Sequence, residues 1–172
     1  MRCPFSCRPP LSVLRPDGFA KNIYEISHDA LLADGIRAII IDLDNTLVGY
    51  HQPRPPAEVA AWVDAALLKG FRIVVVSNNV EAWVKEVATG LKISFVHKAA
   101  KPLPRSFAKA MQLLSAAPQQ TIVIGDQLFT DVLGAKLCRL RVILTEPLVA
   151  GEHPAMRFLR FFERLFLRRR ER

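Results

Sequence analysis

Cysteine is scarce in this chain, which has three among its 172 residues: Cys3, Cys7 and Cys138. An odd number of cysteines, two of them close to the N-terminus, does not make the paired framework that staples a small secreted fold. A zinc site at Cys3 and Cys7 would lack its remaining ligands. The sequence therefore indicates a reducing compartment and excludes a disulfide-rich scaffold.

Long apolar runs are also missing. No stretch approaches the roughly 18 apolar residues that a membrane-spanning helix needs. The first twenty residues contain four prolines and no continuous apolar segment, so no secretory signal is predicted. They contain arginines and no acidic residue before Asp17. This composition leaves an organellar targeting segment as the less favoured alternative to a cytoplasmic location.

Apolar residues make up 51% of the sequence, enough for the core of one domain. Five short runs rich in Val and Ile alternate with segments of helical periodicity; the runs are RAIIIDLD, RIVVVSNN, ISFVHKA, TIVIGD and RVILTEP. Apolar runs without polar alternation are typical of parallel strands buried on both faces. The pattern predicts an α/β, three-layer, Rossmann-like fold with a central parallel sheet of about five strands.

The chain divides into three segments: irregular residues 1–18, a domain over residues 19–150 and a basic tail over residues 151–172. A short helix is predicted within residues 19–35, with Ser27 as its N-cap and Gly35 as its stop. Trp62 and Trp83 fall on later predicted helices, and we interpret both as core or interface residues.

Polar side chains follow four of the predicted strands at the point where each strand ends. They are Asp42 and Asp44 after the first strand, Ser77, Asn78 and Asn79 after the second, Lys101 after the third, and Asp126 and Asp131 after the fourth. The carboxyl ends of parallel strands share one edge of a sheet, and α/β sheets bind ligands at that edge. The sequence therefore predicts that these side chains form one site.

Carboxylates gathered at one point repel each other. Two unit charges 4 Å apart interact by about 4 kcal/mol at an effective dielectric constant near 20. A divalent cation removes this repulsion, and a set of hard oxygen ligands without His or Cys favours Mg²⁺. Because Mg²⁺ keeps several waters and shares phosphate oxygens with the protein, the cluster predicts Mg²⁺ and a phosphate-bearing substrate together.

Roles follow from that chemistry. One aspartate of the first pair can attack phosphorus, and its neighbour two residues on can protonate the leaving oxygen and then activate water. Thr46 or Ser77 can hydrogen-bond the phosphoryl oxygens, and Lys101 can neutralise their charge. Thr46, Asn78 and Lys101 are thus the candidates for substrate binding, and Asp126 is a candidate metal ligand.

The segments DLDNT, VSNN, KP and GDQLFTD, in this order, resemble the four motifs of the haloacid dehalogenase (HAD) phosphohydrolase superfamily. The resemblance covers about residues 36–146. It implies a HAD-type fold in which Asp42 is the nucleophile and Asp44 the general acid/base. It also implies that Ser77 is the hydroxyl of the second motif and Lys101 the lysine of the third.

The same resemblance implies a ligand set for Mg²⁺. The ion is held by the Asp42 side chain, the Asp44 backbone carbonyl and the Asp126 carboxylate. Asp131 matches the second acid of the last motif, which supports the metal shell through water.

A narrower resemblance joins the chain to the YqeG-type branch (subfamily IIIA) of that superfamily, which includes the mitochondrial phosphatidylglycerophosphate phosphatase. It rests on RPDGFAKNIYEI near the N-terminus and on DLDNTLV, VSNN, KP and GDQLFTDVLGA. It starts at about Leu14 and implies a lipid phosphomonoester substrate. Residues 1–13 match no known pattern, and the tail is unusually rich in Phe and Arg.

The spacing of the motifs bears on substrate size. Thirty residues separate Thr46 from Ser77, and 21 separate Asn79 from Lys101. The predicted helices and one strand occupy these residues, so no sizeable cap domain is expected over the site. An open site accepts a phosphate that protrudes from a bulky molecule, whereas a small metabolite more often needs enclosure.

The composition of the basic tail indicates which partners the chain binds. Residues 155–172 contain seven arginines and two glutamates, in a chain of net charge +8. On a helix, the apolar residues of the tail share an arc of about 160°; they are Phe158, Leu159, Phe161, Phe162, Leu165 and Phe166. Such a helix suits the surface of an anionic membrane. The alternative is packing on this domain or on a partner chain, and nucleic acid is not expected.

Together these features predict a Mg²⁺-dependent phosphatase, peripheral at the inner face of a membrane, that converts phosphatidylglycerophosphate into phosphatidylglycerol. One alternative is a HAD phosphatase for a soluble phosphorylated metabolite. Another is a non-catalytic domain that binds a membrane or a protein, against which the complete set of acids argues.

Overall fold

A parallel sheet forms the centre of the molecule. The computed structural model describes residues 13–49, 52 and 54–148. The strands are β1 (Gly18–Ala20), β2 (Ala38–Ile41), β3 (Arg72–Val76), β4 (Ser94–Val96), β5 (Thr121–Gly125) and β6 (Arg141–Thr145). Their order across the sheet is β1-β6-β5-β2-β3-β4, and every pair is parallel.

Strand β2 is central and its residues are buried on both faces. Ile39 and Ile41 belong to the core on one side of the sheet, and Ala38 and Ile40 to the core on the other. Its neighbours are β3 and β5, with Ile39 in register with Ile73 and Ile122. Burial on both faces explains why the sequence of this strand shows no polar alternation.

Helices cover both faces of the sheet, which confirms the predicted three-layer α/β fold. They are α1 (His28–Ala33), α2 (Ala57–Leu68), α3 (Glu81–Gly90), α4 (Pro104–Leu114) and α5 (Leu133–Leu137). Buried residues of α1, α2 and α3 lie in one core, and those of α4 and α5 lie in the other. The Ser27 hydroxyl accepts a hydrogen bond from the Ala30 amide, as predicted for the N-cap of α1.

The sheet has six strands, one more than the sequence pattern predicted. The additional strand, β1, has three residues and lies at the edge of the sheet against β6. Asp17 fixes it there, because its backbone N–H donates to the Val142 carbonyl and its carboxylate accepts from the Val142 N–H, both at 2.8 Å. A three-residue edge strand that begins with glycine carries no period-two pattern, so the sequence alone does not reveal it.

The predicted amphipathic helix over residues 151–172 lies outside the described residues and stays a prediction. None of the helices in the described part of the chain combines the length and the apolar character needed to cross a bilayer.

Helices α4 and α5 approach each other closely at Gly134. A Cβ at this position would lie 2.3 Å from Cε2 of Phe107, whose side chain is fully buried. The contact fixes the relative position of α4, which follows the loop that carries Lys101, and α5, which follows the helical turn that carries Asp131. Packing behind the sheet therefore positions side chains at its edge.

Replacing Gly134 with Ala should destabilise the fold, because the added methyl group overlaps a buried ring that has no room to move. We expect a loss of about 1–3 kcal/mol in the free energy of unfolding, measured by urea denaturation. Gly90→Ala is the matched control, since a Cβ there meets nothing within 4 Å. That variant should be neutral or more stable by up to about 1 kcal/mol. Equal stability of the two variants would contradict the packing argument.

Candidate active site

The strand order places the predicted site residues side by side. Strand β2 lies between β5 and β3, and β4 lies beyond β3. Asp42 follows β2, Ser77 follows β3, Asp126 follows β5, and Lys101 follows β4 in the loop before α4. Their convergence at the carboxyl edge of the sheet is what the strand-end pattern predicted.

Three carboxyl groups meet at this edge. Asp42, Asp126 and Asp131 each offer an oxygen, and these oxygens all lie within 4.8 Å of one another. All three side chains are buried, and Oδ2 of Asp42 has no hydrogen-bond partner among the described residues. A buried group of carboxylate oxygens of this kind fits a hard divalent cation, which would bind an oxygen such as Oδ2 of Asp42.

Asp131 reaches the cluster through an unusual piece of helix. The residues Leu128–Val132 form a single π-helical turn, a feature often found at functional sites. The Asp131 carboxylate packs against the end of β5, where a Cβ on Gly125 would lie 2.5 Å from it. The Gln127 backbone N–H also donates to Oδ2 of Asp131 at 3.2 Å. Gly125 is therefore a site residue that the sequence reasoning missed.

Lys101 supplies the positive charge of the cluster. Its buried ammonium donates hydrogen bonds to Oδ1 of Asp42 and, at 2.7 Å, to Oδ1 of Asp131. Burial alone would lower the pKa of Lys101, but the charges of Asp131 and Asp42 outweigh it and hold the pKa above its usual range. The lysine is therefore protonated when it faces these carboxyl groups.

The pKa of Asp42 is raised well above its usual range. Burial is the main cause, and the nearby Asp131 and Asp126 add to it while Lys101 opposes it. One ammonium group thus faces three carboxyl groups in a space shielded from water. Further positive charge would favour ionisation of Asp42, which is the form that a nucleophile or a metal ligand requires.

Asn78 fixes the backbone of Lys101. Its side-chain carbonyl accepts from the Lys101 N–H at 2.6 Å, and its amide donates to the Lys101 carbonyl at 3.3 Å. The structure therefore gives Asn78 a role in holding the lysine loop against the end of β3. Direct substrate binding by Asn78 stays a prediction.

Asp44 is held by donors from the segment after β3. The Trp83 indole N–H donates to Oδ1 at 3.0 Å, and Ser77 and Asn79 lie 3.4 and 3.5 Å from Oδ2. Ser77 and Asn79 thus lie beside the second aspartate, at the sheet edge where the strand-end pattern placed them. Trp83 is a further member of the site that the sequence reasoning missed.

The turn after Asp44 completes the site. Asn45 adopts a left-handed conformation with φ of 64°, which asparagine tolerates better than most residues. The turn buries Thr46, whose hydroxyl has no hydrogen-bond partner among the described residues. A buried hydroxyl of this kind is available to a phosphoryl oxygen, although its substrate contact stays a prediction.

A parallel α/β sheet gathers an aspartate pair, a buried lysine and two further aspartates at its carboxyl edge, the arrangement that the four motifs predicted for a phosphohydrolase. The chain belongs to the haloacid dehalogenase-like hydrolase family, whose family model matches residues 49–139. It is a phosphatase of the HAD superfamily, as the four motifs indicated.

Two relatives show the extent of the sequence similarity. The chain is 37% identical to the "Probable phosphatase YqeG" of Bacillus subtilis over 88% of each protein. It is 30% identical to the phosphoglycolate phosphatase of Aquifex aeolicus, over 49% of this chain and 42% of that protein.

Solved structures share the fold. A haloacid dehalogenase-like hydrolase from Brucella suis superposes with a TM-score of 0.52 at 13% identity, over 74% of this chain and 93% of that one. The cobalt-bound deoxy-D-mannose-octulosonate 8-phosphate phosphatase of Haemophilus influenzae gives a TM-score of 0.53 at 14% identity, over 73% and 75%.

Removing the Lys101 charge should expose the repulsion within the cluster. For Lys101→Met without added metal, we expect the free energy of unfolding at pH 8 to fall by about 3–5 kcal/mol, because buried carboxylates lose their counter-charge. The loss should shrink towards pH 5. Carboxyl groups whose folded pKa is raised bind protons more strongly in the folded chain, so acidification stabilises it. Urea denaturation at both pH values measures the effect.

The control is Lys69→Met, which removes the exposed ion pair with Asp29. That variant should lose no more than about 1 kcal/mol. A loss at Lys101 that is as small as at Lys69, or that grows on acidification, would contradict the charge balance described for the cluster.

Proposed function

We propose that this HAD phosphatase uses Mg²⁺ and an aspartyl-phosphate intermediate, and that its substrate is phosphatidylglycerophosphate. The product would be phosphatidylglycerol. The single observation that carries the mechanism is the convergence of Asp42, Asp126 and Asp131 beside Lys101. The substrate is inferred from features outside the catalytic cluster.

Asp42 and Asp44 divide the chemistry. The Asp42 carboxylate attacks phosphorus, the bond from phosphorus to the leaving oxygen breaks, and Asp44 donates a proton to that oxygen. In the second half, Asp44 accepts a proton from water as the water oxygen attacks the phosphorus of the intermediate. The aspartyl–phosphorus bond then breaks, which releases phosphate and restores Asp42. The Lys101 ammonium stabilises the negative charge on Asp42 and the phosphoryl group in both halves.

The residues present fit the proposed metal. Asp42, Asp126 and Asp131 provide carboxylate oxygens, the Asp44 backbone carbonyl is the further proposed ligand, and the cluster contains no His or Cys. When bound, Mg²⁺ supplies positive charge that neutralises phosphoryl oxygens.

Three features support a lipid substrate. The described residues between β2 and β3 contain α2 and no additional domain, and those between β3 and β4 contain α3 alone. No cap domain in these described segments covers the site, which suits a phosphate carried by a large molecule. The sequence of residues 151–172 favours an anionic membrane surface, which would place the enzyme peripherally at the inner face of the membrane. The narrower motif resemblance points to the same lipid.

A soluble phosphomonoester is the second candidate substrate. The observation that favours it is the partial likeness to the phosphoglycolate phosphatase of Aquifex aeolicus, a protein named for a small acid. That likeness covers 49% of the chain and 42% of the relative, and it accounts neither for the missing cap nor for the basic tail.

Asp42→Asn should abolish phosphate release, because the amide is a poor nucleophile and a weaker metal ligand. We expect a fall of at least about 10³-fold in kcat, with the fold retained by circular dichroism. The matched variant Asp29→Asn changes an exposed aspartate far from the cluster in sequence and should keep wild-type turnover. Removal of Mg²⁺ with a chelator should stop the wild-type enzyme. Unchanged release from Asp42→Asn would refute the mechanism.

The substrate proposal predicts a preference that depends on the tail. Phosphate release from phosphatidylglycerophosphate in mixed micelles should exceed release from sugar and nucleotide phosphates at equal concentration. A shortened chain that ends at Gly151 should lose lipid turnover and keep turnover of a small aryl phosphate. Equal lipid activity of the two chains would refute the role of the tail. Preference for a soluble phosphomonoester would refute the lipid substrate and leave the aspartyl-phosphate mechanism unaffected.

A further inference from the structure

The indole of Trp83 makes the shortest hydrogen bond that the structure records to Asp44. The Nε1–H donates to Oδ1 at 3.0 Å, while the donors near Oδ2, on Ser77 and Asn79, lie at 3.4 and 3.5 Å. The two carboxylate oxygens of Asp44 therefore have different surroundings. One oxygen is held by a well-placed donor, and the other has only long contacts.

We propose that Trp83 is a positioning residue for the general acid/base, and that it reserves Oδ1 of Asp44 as an acceptor so that Oδ2 carries the transferred proton. This inference rests on the proposed function, since it requires Asp44 to act as acid and base. Trp83 itself does not touch the reacting atoms in this account; it acts through Asp44.

The chemistry of the indole supports this assignment. An indole N–H donates and never accepts, so Oδ1 is its acceptor whether Asp44 is protonated or ionised. Because the carbonyl oxygen of a carboxylic acid is a better acceptor than its hydroxyl oxygen, the short bond to Oδ1 favours Oδ2 as the oxygen that carries the proton. In the first half of the reaction this proton passes to the leaving oxygen as the bond to phosphorus breaks. In the second half, Oδ2 takes a proton from the attacking water.

Packing holds the indole in place. Trp83 is the third residue of α3, is half-buried, and packs against the core on that face of the sheet. Val84 and Val87 of the same helix are buried in that core. Because the helix is anchored, the direction of the N–H is fixed before substrate binds, and little conformational entropy is lost when Asp44 is oriented.

Trp62 provides a matched control within the same chain. Its indole N–H donates to the Ile26 carbonyl at 2.8 Å, and its ring is buried in the core, 4.5 Å from the ring of His28 between centroids. Trp62→Phe and Trp83→Phe therefore remove the same group, an indole N–H with one acceptor. Only Trp83→Phe removes a hydrogen bond to a carboxylate of the site.

The experiment compares the two variants on two aryl phosphates with Mg²⁺ present. Phenol is a poorer leaving group than p-nitrophenol and depends more on a proton from a general acid. For Trp83→Phe we expect kcat/KM to fall about 10- to 100-fold with phenyl phosphate and less than about threefold with p-nitrophenyl phosphate. We expect KM to change little. For Trp62→Phe, any loss should be equal for the two substrates.

Equal losses for both substrates in Trp83→Phe would overturn the positioning role and leave the proposed function intact. A wild-type chain that releases phosphate neither from the aryl phosphates nor from phosphatidylglycerophosphate would overturn the proposed function, and this inference with it. The two failures are thus distinguishable.

A second measurement tests the hydrogen bond without activity. In ¹H–¹⁵N spectra of the folded chain, the Trp83 indole resonance should move upfield in Asp44→Ala, because its acceptor is lost. The Trp62 resonance should stay in place. An unmoved Trp83 resonance would overturn the proposal even if Trp83→Phe failed to fold.

Discussion

The close approach of three buried carboxyl groups is the constraint on which the rest of the site depends. Asp42, Asp126 and Asp131 repel one another when ionised, and burial strengthens that repulsion because little water screens it. Lys101 offsets part of it, and the pKa of Asp42 stays raised despite the lysine. A site with this excess of acid favours the binding of a cation, and it favours a substrate that brings oxygen ligands of its own. One electrostatic arrangement thus accounts for both the metal and the phosphate chemistry that are proposed for the site.

Support for this arrangement comes largely from the segment that joins β3 to α3 and from the first turn of α3. Asn78 ties the Lys101 backbone to the end of β3, and Ser77, Asn79 and Trp83 surround the Asp44 carboxylate. Residues 77–83 therefore orient both Lys101 and Asp44, the acid/base of the proposed reaction. On the opposite side, Gly125 lets Asp131 approach the sheet, since any larger residue would overlap its carboxylate. The site is held from both sides by contacts that involve no substrate.

Much of the fold was predictable because burial on both faces leaves a local signature. The five predicted strands all occur, and the strand-end rule brought Asp42, Ser77, Lys101 and Asp126 together correctly. The edge strand β1 was not predicted, because its pairing with β6 depends on residues more than a hundred positions away. Trp83 was assigned to the core or an interface, and its contact with Asp44 was missed for a related reason. Its helix was predicted, but which side chain the indole meets depends on packing between elements, and no local pattern records that contact.

The central claim is that aspartates remote in sequence ligate one divalent ion. Anomalous diffraction from crystals grown with Mn²⁺ in place of Mg²⁺ tests it most directly, since the ion is located without assumptions about activity. The account predicts one strong anomalous peak in contact with carboxylate oxygens of both Asp42 and Asp126. A peak that contacts only one of them, or the absence of any peak at the carboxyl edge of the sheet, would contradict it.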